Sequence, residues 1–237
     1  MRRRSAFQLH HEIFGSQFRE PRPQKWLLDN EAVLKVASYG LGATLQRLPT
    51  HLPAEMSVLN GGRGDLSERL ARLGLQQPIS RAQENLEAMV KHFQTLDPSR
   101  SEVEMAAQLR HQAGARGFLM GVEESEFCAV GTCRPFSRVL IGGDRMLAAL
   151  AAVAADRAEV MHLFGRVVCF EQVMMAVLGA AGDAAFRKAV CAEPKVDEAV
   201  YLSCGCGGID SDGKEIGERL AGYIALRKKD AGRLLAQ

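Results

Sequence analysis

Long apolar runs, a charge excess of one sign and abundant aromatics are all missing from this chain, and each absence narrows what it can be. The strongest apolar stretch, Met146 to Ala155, is cut off by Asp156 and Arg157, far short of the roughly 20 residues a membrane-crossing helix requires. No membrane span is expected. Met1 is followed by Arg2, Arg3 and Arg4, and then by Gln8, His10, His11 and Glu12, where an export signal would carry an apolar core. The expected compartment is therefore the reducing cytoplasm, where cysteines serve as ligands, reactive thiols or small apolar fillers. A formal net charge of +2 excludes general electrostatic capture of nucleic acid and leaves only local basic patches to consider. Internal repeats and low-complexity segments are absent, as are G-x-x-x-x-G-K-[ST], G-x-S-x-G and H-E-x-x-H, so the usual signatures of nucleotide, acyl and zinc-protease chemistry give no lead.

What remains is ordinary globular material: 237 residues, 47% apolar and 24% charged, with aromatics at 6% and a single tryptophan. That is enough apolar side chain for a full core. The pattern divides into an N-terminal arm over residues 1–29, a helical region over 30–114, and a helical region with short strands over 115–237. The arm mixes Phe7, Phe14, Phe18 and Trp26 with charges around Pro21 and Pro23.

Helical spacing begins at Asp29 or Asn30 and runs to Leu48, before Pro49. Pro53 opens a short helix to Leu59, and Leu66 to Leu73 is another. Ser80 with Gln83, and Ser101 with Glu104, read as capping boxes for helices ending near Leu96 and Ala113. Short apolar runs bounded by turn residues predict strands at Gly117 to Val122, Phe136 to Ile141 and Ala199 to Ser203. Asp144 caps an alanine-rich helix to about Phe164, and further helices follow from Arg166 to Leu178 and from Asp183 to Ala192. A last one runs from Lys214 to Leu235, with Ile216, Leu220, Tyr223, Ile224 and Leu226 inward. The expected fold is mainly α, with a small β-containing region resembling a zinc knuckle, and α+β as the alternative.

Chemistry is best sought in the cysteines. Cys128-Ala-Val-Gly-Thr-Cys133 and Cys204-Gly-Cys206 are two pairs separated by small residues. Brought together, they would supply the four thiolates of a structural zinc site. Cys169 and Cys191 read as buried core thiols. Glu123, Glu124 and Glu126 stand beside Cys128 and offer an acid or base near a metal-bound water. Basic side chains gather at Arg2, Arg3 and Arg4, and again at Arg227, Lys228, Lys229 and Arg233. These two clusters are the candidate contacts to nucleic-acid phosphates, because guanidinium groups bind phosphate bidentately. The expectation is a nucleic-acid-binding component of a larger regulatory or nucleoprotein complex, with other protein subunits as partners and zinc as cofactor. A metal- or thiol-dependent enzyme using the Cys204/Cys206 turn, and a helical protein-protein adaptor, are the alternatives.

Overall fold

The computed structural model describes residues 25–46, 55–60, 63–154, 157–208 and 211–235. Helices dominate, as the pattern predicts, but they surround a parallel sheet instead of a small knuckle. Among the described residues five strands, β1 (Lys25–Leu28), β2 (Glu55–Leu59), β3 (Gln94–Leu96), β4 (Arg138–Ile141) and β5 (Val167–Cys169), lie in the order β3-β2-β1-β4-β5. Every neighbouring pair is parallel, with Leu28 opposite both Val58 and Leu140.

The two faces of the sheet carry separate cores because successive side chains on a strand point to opposite sides. Trp26, Leu28, Met56, Val58, Leu140 and Val168 face one way. On them lie α1 (Asn30–Ser38), α2 (Gly42–Gln46), α3 (Arg63–Arg72) and α4 (Ile79–Val90). The same layer holds α9 (Phe170–Ala181), α10 (Asp183–Cys191), α11 (Glu198–Ser203) and α12 (Gly213–Leu235). Leu27, Leu59, Leu96, Val139 and Ile141 face the other way. Against these pack α5 (Arg100–Ala115), α6 (Val122–Cys133), α7 (Asp144–Ala154) and α8 (Ala158–Phe164). From β1 the chain winds outward through β2 to β3 with helices on the first face, then returns beside β1 and winds outward through β4 and β5 with helices on the second. This is a doubly wound α/β architecture.

Burial on both faces explains why the strands are hard to see in the sequence. Such strands are short continuous apolar runs without alternation, and they merge with adjoining helical patterns. β1 lies at the end of the expected arm, β2 where a short helix is expected, and β3 and β5 within expected helices. Conversely, Ala199 to Ser203 is helical, and Gly117 to Val122 is the connection into α6. Asp197 caps α11 by accepting the Val200 N–H at 2.9 Å, a local bond that selects helix over strand there. The second expected capping box is displaced by two residues. Ser99 and Glu102 form it, directly after Pro98, and Arg134 then locks the Glu102 carboxylate with two bonds of 2.7 Å.

Candidate functional site: the carboxyl-edge cleft

In an open parallel sheet wound in two directions, a crevice forms at the carboxyl ends of the strands where the winding reverses. Here that point lies between β1 and β4. Asp29 follows β1 and joins the two strand ends: its backbone N–H donates to Leu140 O at 2.9 Å, while its carboxylate accepts the Gly142 N–H at 2.7 Å and the Glu31 N–H at 2.5 Å. The β4–α7 turn needs glycine for this closeness, since a Cβ on Gly142 would come within 2.5 Å of the Ala32 nitrogen. Burial, together with the negative charges of Glu31 and Glu123, pushes the Asp29 carboxyl up to about 6 against the pull of those N–H donors.

A cleft of about 810 Å³ opens above this junction, walled by α1, α3, the β4–α7 turn, α11 and α12. Its lining includes four basic side chains, Lys35, Arg69, Arg72 and Arg227, and four acidic ones, Glu31, Asp144, Asp197 and Glu198. Most are engaged in pairs. Lys35, on α1, donates to Gly142 O at 2.6 Å and pairs with Glu31 at 2.8 Å and Asp197 at 2.9 Å, with its ammonium 5.4 Å from the Phe170 ring centre. Burial opposes the charge on Lys35, but Asp197 and Glu31 outweigh it and hold the pKa above the ordinary lysine value. Arg69 binds Glu123 at 2.7 Å, and Arg227 binds the buried Glu171 at 2.9 Å while also contacting Asp144. Asp144 remains largely exposed at 77%. Arg72 is exposed and pairs with Glu68 within its own helix. Tyr223, Leu202 and Leu226 add an apolar rim; Leu226, expected inward, is 53% exposed.

The sequence-predicted residues fall in several places. Arg227 is in the cleft, and Lys228 and Lys229 are exposed beside it on α12. Arg233 continues the same helix, its side chain outside the described residues, and Arg2, Arg3 and Arg4 lie outside them altogether. The two cysteine pairs are not brought together. Cys128 and Cys133 lie on α6, not on a turn, with Cys128 buried in the core of the second face and Cys133 exposed near Met105. Cys204 is buried in the core of the first face, so the sheet stands between it and Cys128. Cys206 is bonded to Cys191 in a disulfide, which corrects the reading of Cys191 as a lone core thiol. Burial pushes the thiols of Cys128, Cys169 and Cys204 up, the last to about 12. Among the described residues, no three His, Cys, Asp or Glu side chains are gathered as a metal site would require.

Pattern reading overlooks Asp29, Glu31, Lys35, Arg69, Arg72 and Asp197 as site residues. A signal for the first of them does exist. Trp26-Leu27-Leu28-Asp29 and Val139-Leu140-Ile141-Gly142-Gly143-Asp144 are both apolar runs that end in an aspartate opening a helix, the mark of two strand-to-helix turns at one sheet edge. Comparison with protein-family models, curated proteins and solved structures gave no match to this chain.

Proposed function

We propose that this chain binds nucleic acid through its phosphates, along a path that enters the carboxyl-edge cleft and continues over the basic surface of α12. The supporting observation is the placement of Arg227: it lines the cleft with Lys35, Arg69 and Arg72, and Lys228 and Lys229 follow it on the exposed side of the helix. Guanidinium groups suit phosphate, and the apolar rim of Tyr223 and Leu202 offers a surface for a base or sugar. The cleft's balanced charges favour a ligand that exchanges partners with the existing ion pairs over indiscriminate capture, in keeping with a net charge of only +2. A role as one component of a larger nucleoprotein assembly belongs to the same reading. The two cysteine pairs named for structural zinc stand on opposite faces of the sheet, and Cys206 is bonded to Cys191, so the nucleic-acid reading is argued without the metal.

The test is binding of fluorescently labelled single-stranded RNA and DNA, followed by anisotropy at several salt concentrations. Arg72→Ala and the double variant Lys228→Ala/Lys229→Ala remove exposed charges without stranding a buried partner. Each should weaken binding about fivefold, and each lost phosphate contact should flatten the salt dependence by about one unit of slope. Unchanged affinity and slope in both variants reject this surface.

A further inference from the structure

One wall of the cleft belongs to a covalently closed loop. The Cys191–Cys206 disulfide spans 15 residues, from the end of α10 to the turn after α11. That loop supplies Val196, Asp197, Glu198, Ala199 and Leu202 to the cleft lining. Its first half has its own anchor: the buried Glu193 carboxylate accepts the Gln76 and Gln77 N–H groups at 2.8 and 2.9 Å. Its second half is held by Asp197 against Lys35, by Arg219 donating to Ser203 O at 3.1 Å, and by the disulfide. The turn that carries Cys206 is conformationally permissive, because Gly205 and Gly207 on either side of it have φ of 62° and 81°. The disulfide is thus the covalent restraint on the most pliable end of the wall.

Access also favours chemistry at this bond. Cys191 and Cys206 are each half-buried, whereas Cys204 and Cys128 are buried. A small dithiol can reach the bond. Cys204, two residues away with its thiol held protonated at neutral pH by burial, does not reshuffle it, because the thiolate is the attacking species.

We propose that the Cys191–Cys206 disulfide is a redox-controlled strut of the cleft wall: opening it loosens α11 and the Asp197–Lys35 pair, and closing it restores the binding surface. In opening, a dithiol attacks one sulfur of the bond. Two electrons and two protons pass to Cys191 and Cys206, and the reductant leaves as a cyclic disulfide. In closing, the S–S bond re-forms as a small disulfide such as oxidised glutathione takes up the two electrons and two protons and leaves as two thiols. Only the consequence for nucleic acid rests on the function proposed above.

The experiment compares the full chain equilibrated with oxidised glutathione or with dithiothreitol. Thiol titration in denaturant should count four thiols in the first sample and six in the second. Hydrogen exchange of peptides covering residues 197–206 should be at least tenfold faster after reduction, and labelled RNA should bind at least threefold more weakly. The double variant Cys191→Ser/Cys206→Ser, where it folds, should behave as the reduced form under both conditions. Six thiols after oxidation, or the same exchange rate in both forms, overturns the proposal; the comparison of the two wild-type samples needs no variant. If RNA binds in neither form, the reading of the cleft as a nucleic-acid site fails, and the exchange rates still decide the strut.

Discussion

Asp197→Ala tests the internal architecture of the cleft directly. The substitution removes two interactions at once. One is the cap on α11, the bond from the Val200 N–H at 2.9 Å, whose loss costs about 1 kcal/mol. The other is the ion pair with Lys35 at 2.9 Å, between side chains only 5% and 11% exposed. Breaking a buried pair leaves an uncompensated charge and costs about 3–5 kcal/mol, but Lys35 keeps Glu31 and Gly142 O, which places the loss near the bottom of that range. The combined destabilisation is about 3–4 kcal/mol. For a chain of this size that lowers Tm by at least about 6 °C, and urea unfolding should show a lower midpoint at unchanged slope. Lys35→Met strands the opposite charge and should cost a similar amount. In the double variant both charges are gone, so the loss should fall short of the sum of the two single losses by about 1–3 kcal/mol. A single variant within about 0.5 kcal/mol of wild type, or strict additivity in the cycle, would refute the claim that this pair holds α11 to α1.

Three other perturbations have defined outcomes. Gly142→Ala places a Cβ against the backbone of Ala32 and Glu31, at 2.5 and 2.8 Å, and should cost about 3 kcal/mol by calorimetry or urea unfolding, because backbone cannot yield as a side-chain tip does. Arg134→Ala leaves Glu102 without its principal partner and should destabilise by about 1.5–2 kcal/mol at pH 7, because Arg134 is partly exposed and Glu102 keeps the bond from the Ser99 N–H. The Arg134 bonds hold the folded Glu102 pKa down at about 2, so their stabilisation is present above the ordinary carboxyl range and is lost as pH falls from about 4.5 towards 2; acid titration of the variant's stability should be flatter than wild type across that window. Asp29 has the opposite sign, its folded pKa being raised to about 6. Its contribution is greatest below about 4 and declines as pH rises through 6, so unfolding measured at pH 4 and pH 7.5 should reveal a pH-dependent loss that Asp29→Asn lacks.

The helices were largely legible in the sequence and the sheet was not, for reasons that particular residues make clear. Asp29 and Asp144 are helix-opening aspartates by their local chemistry, and α12 follows from the spacing of Ile216, Leu220 and Ile224, all buried. The run from Phe136 to Ile141 contains β4 because turn residues bound it on both sides. Val167 to Cys169, by contrast, leads into α9 without punctuation, and Cys169 itself is the N-cap of that helix. The site was missed because its members are far apart in sequence and individually plain: Lys35 looks like any helical lysine until Asp197, 162 residues away, lies beside it. Cysteine spacing misled for a related reason. Cys128 and Cys133 satisfy the spacing of a ligand pair, yet the same residues are a helix whose first member is required by the core.

The position of β1 at the centre of the sheet has a consequence for how the molecule is made. Lys25, at the start of β1, donates to Ser137 across a separation of 112 residues, and Leu28 meets Leu140 only when β4 has been synthesised. At about 5–20 residues per second, translation leaves β1 with one open edge for roughly 4–16 s. During that interval a pairing half-site formed by Trp26, Leu27 and Leu28 is exposed to other nascent chains, and the yield of native protein should respond to the rate at which the ribosome crosses residues 60–140.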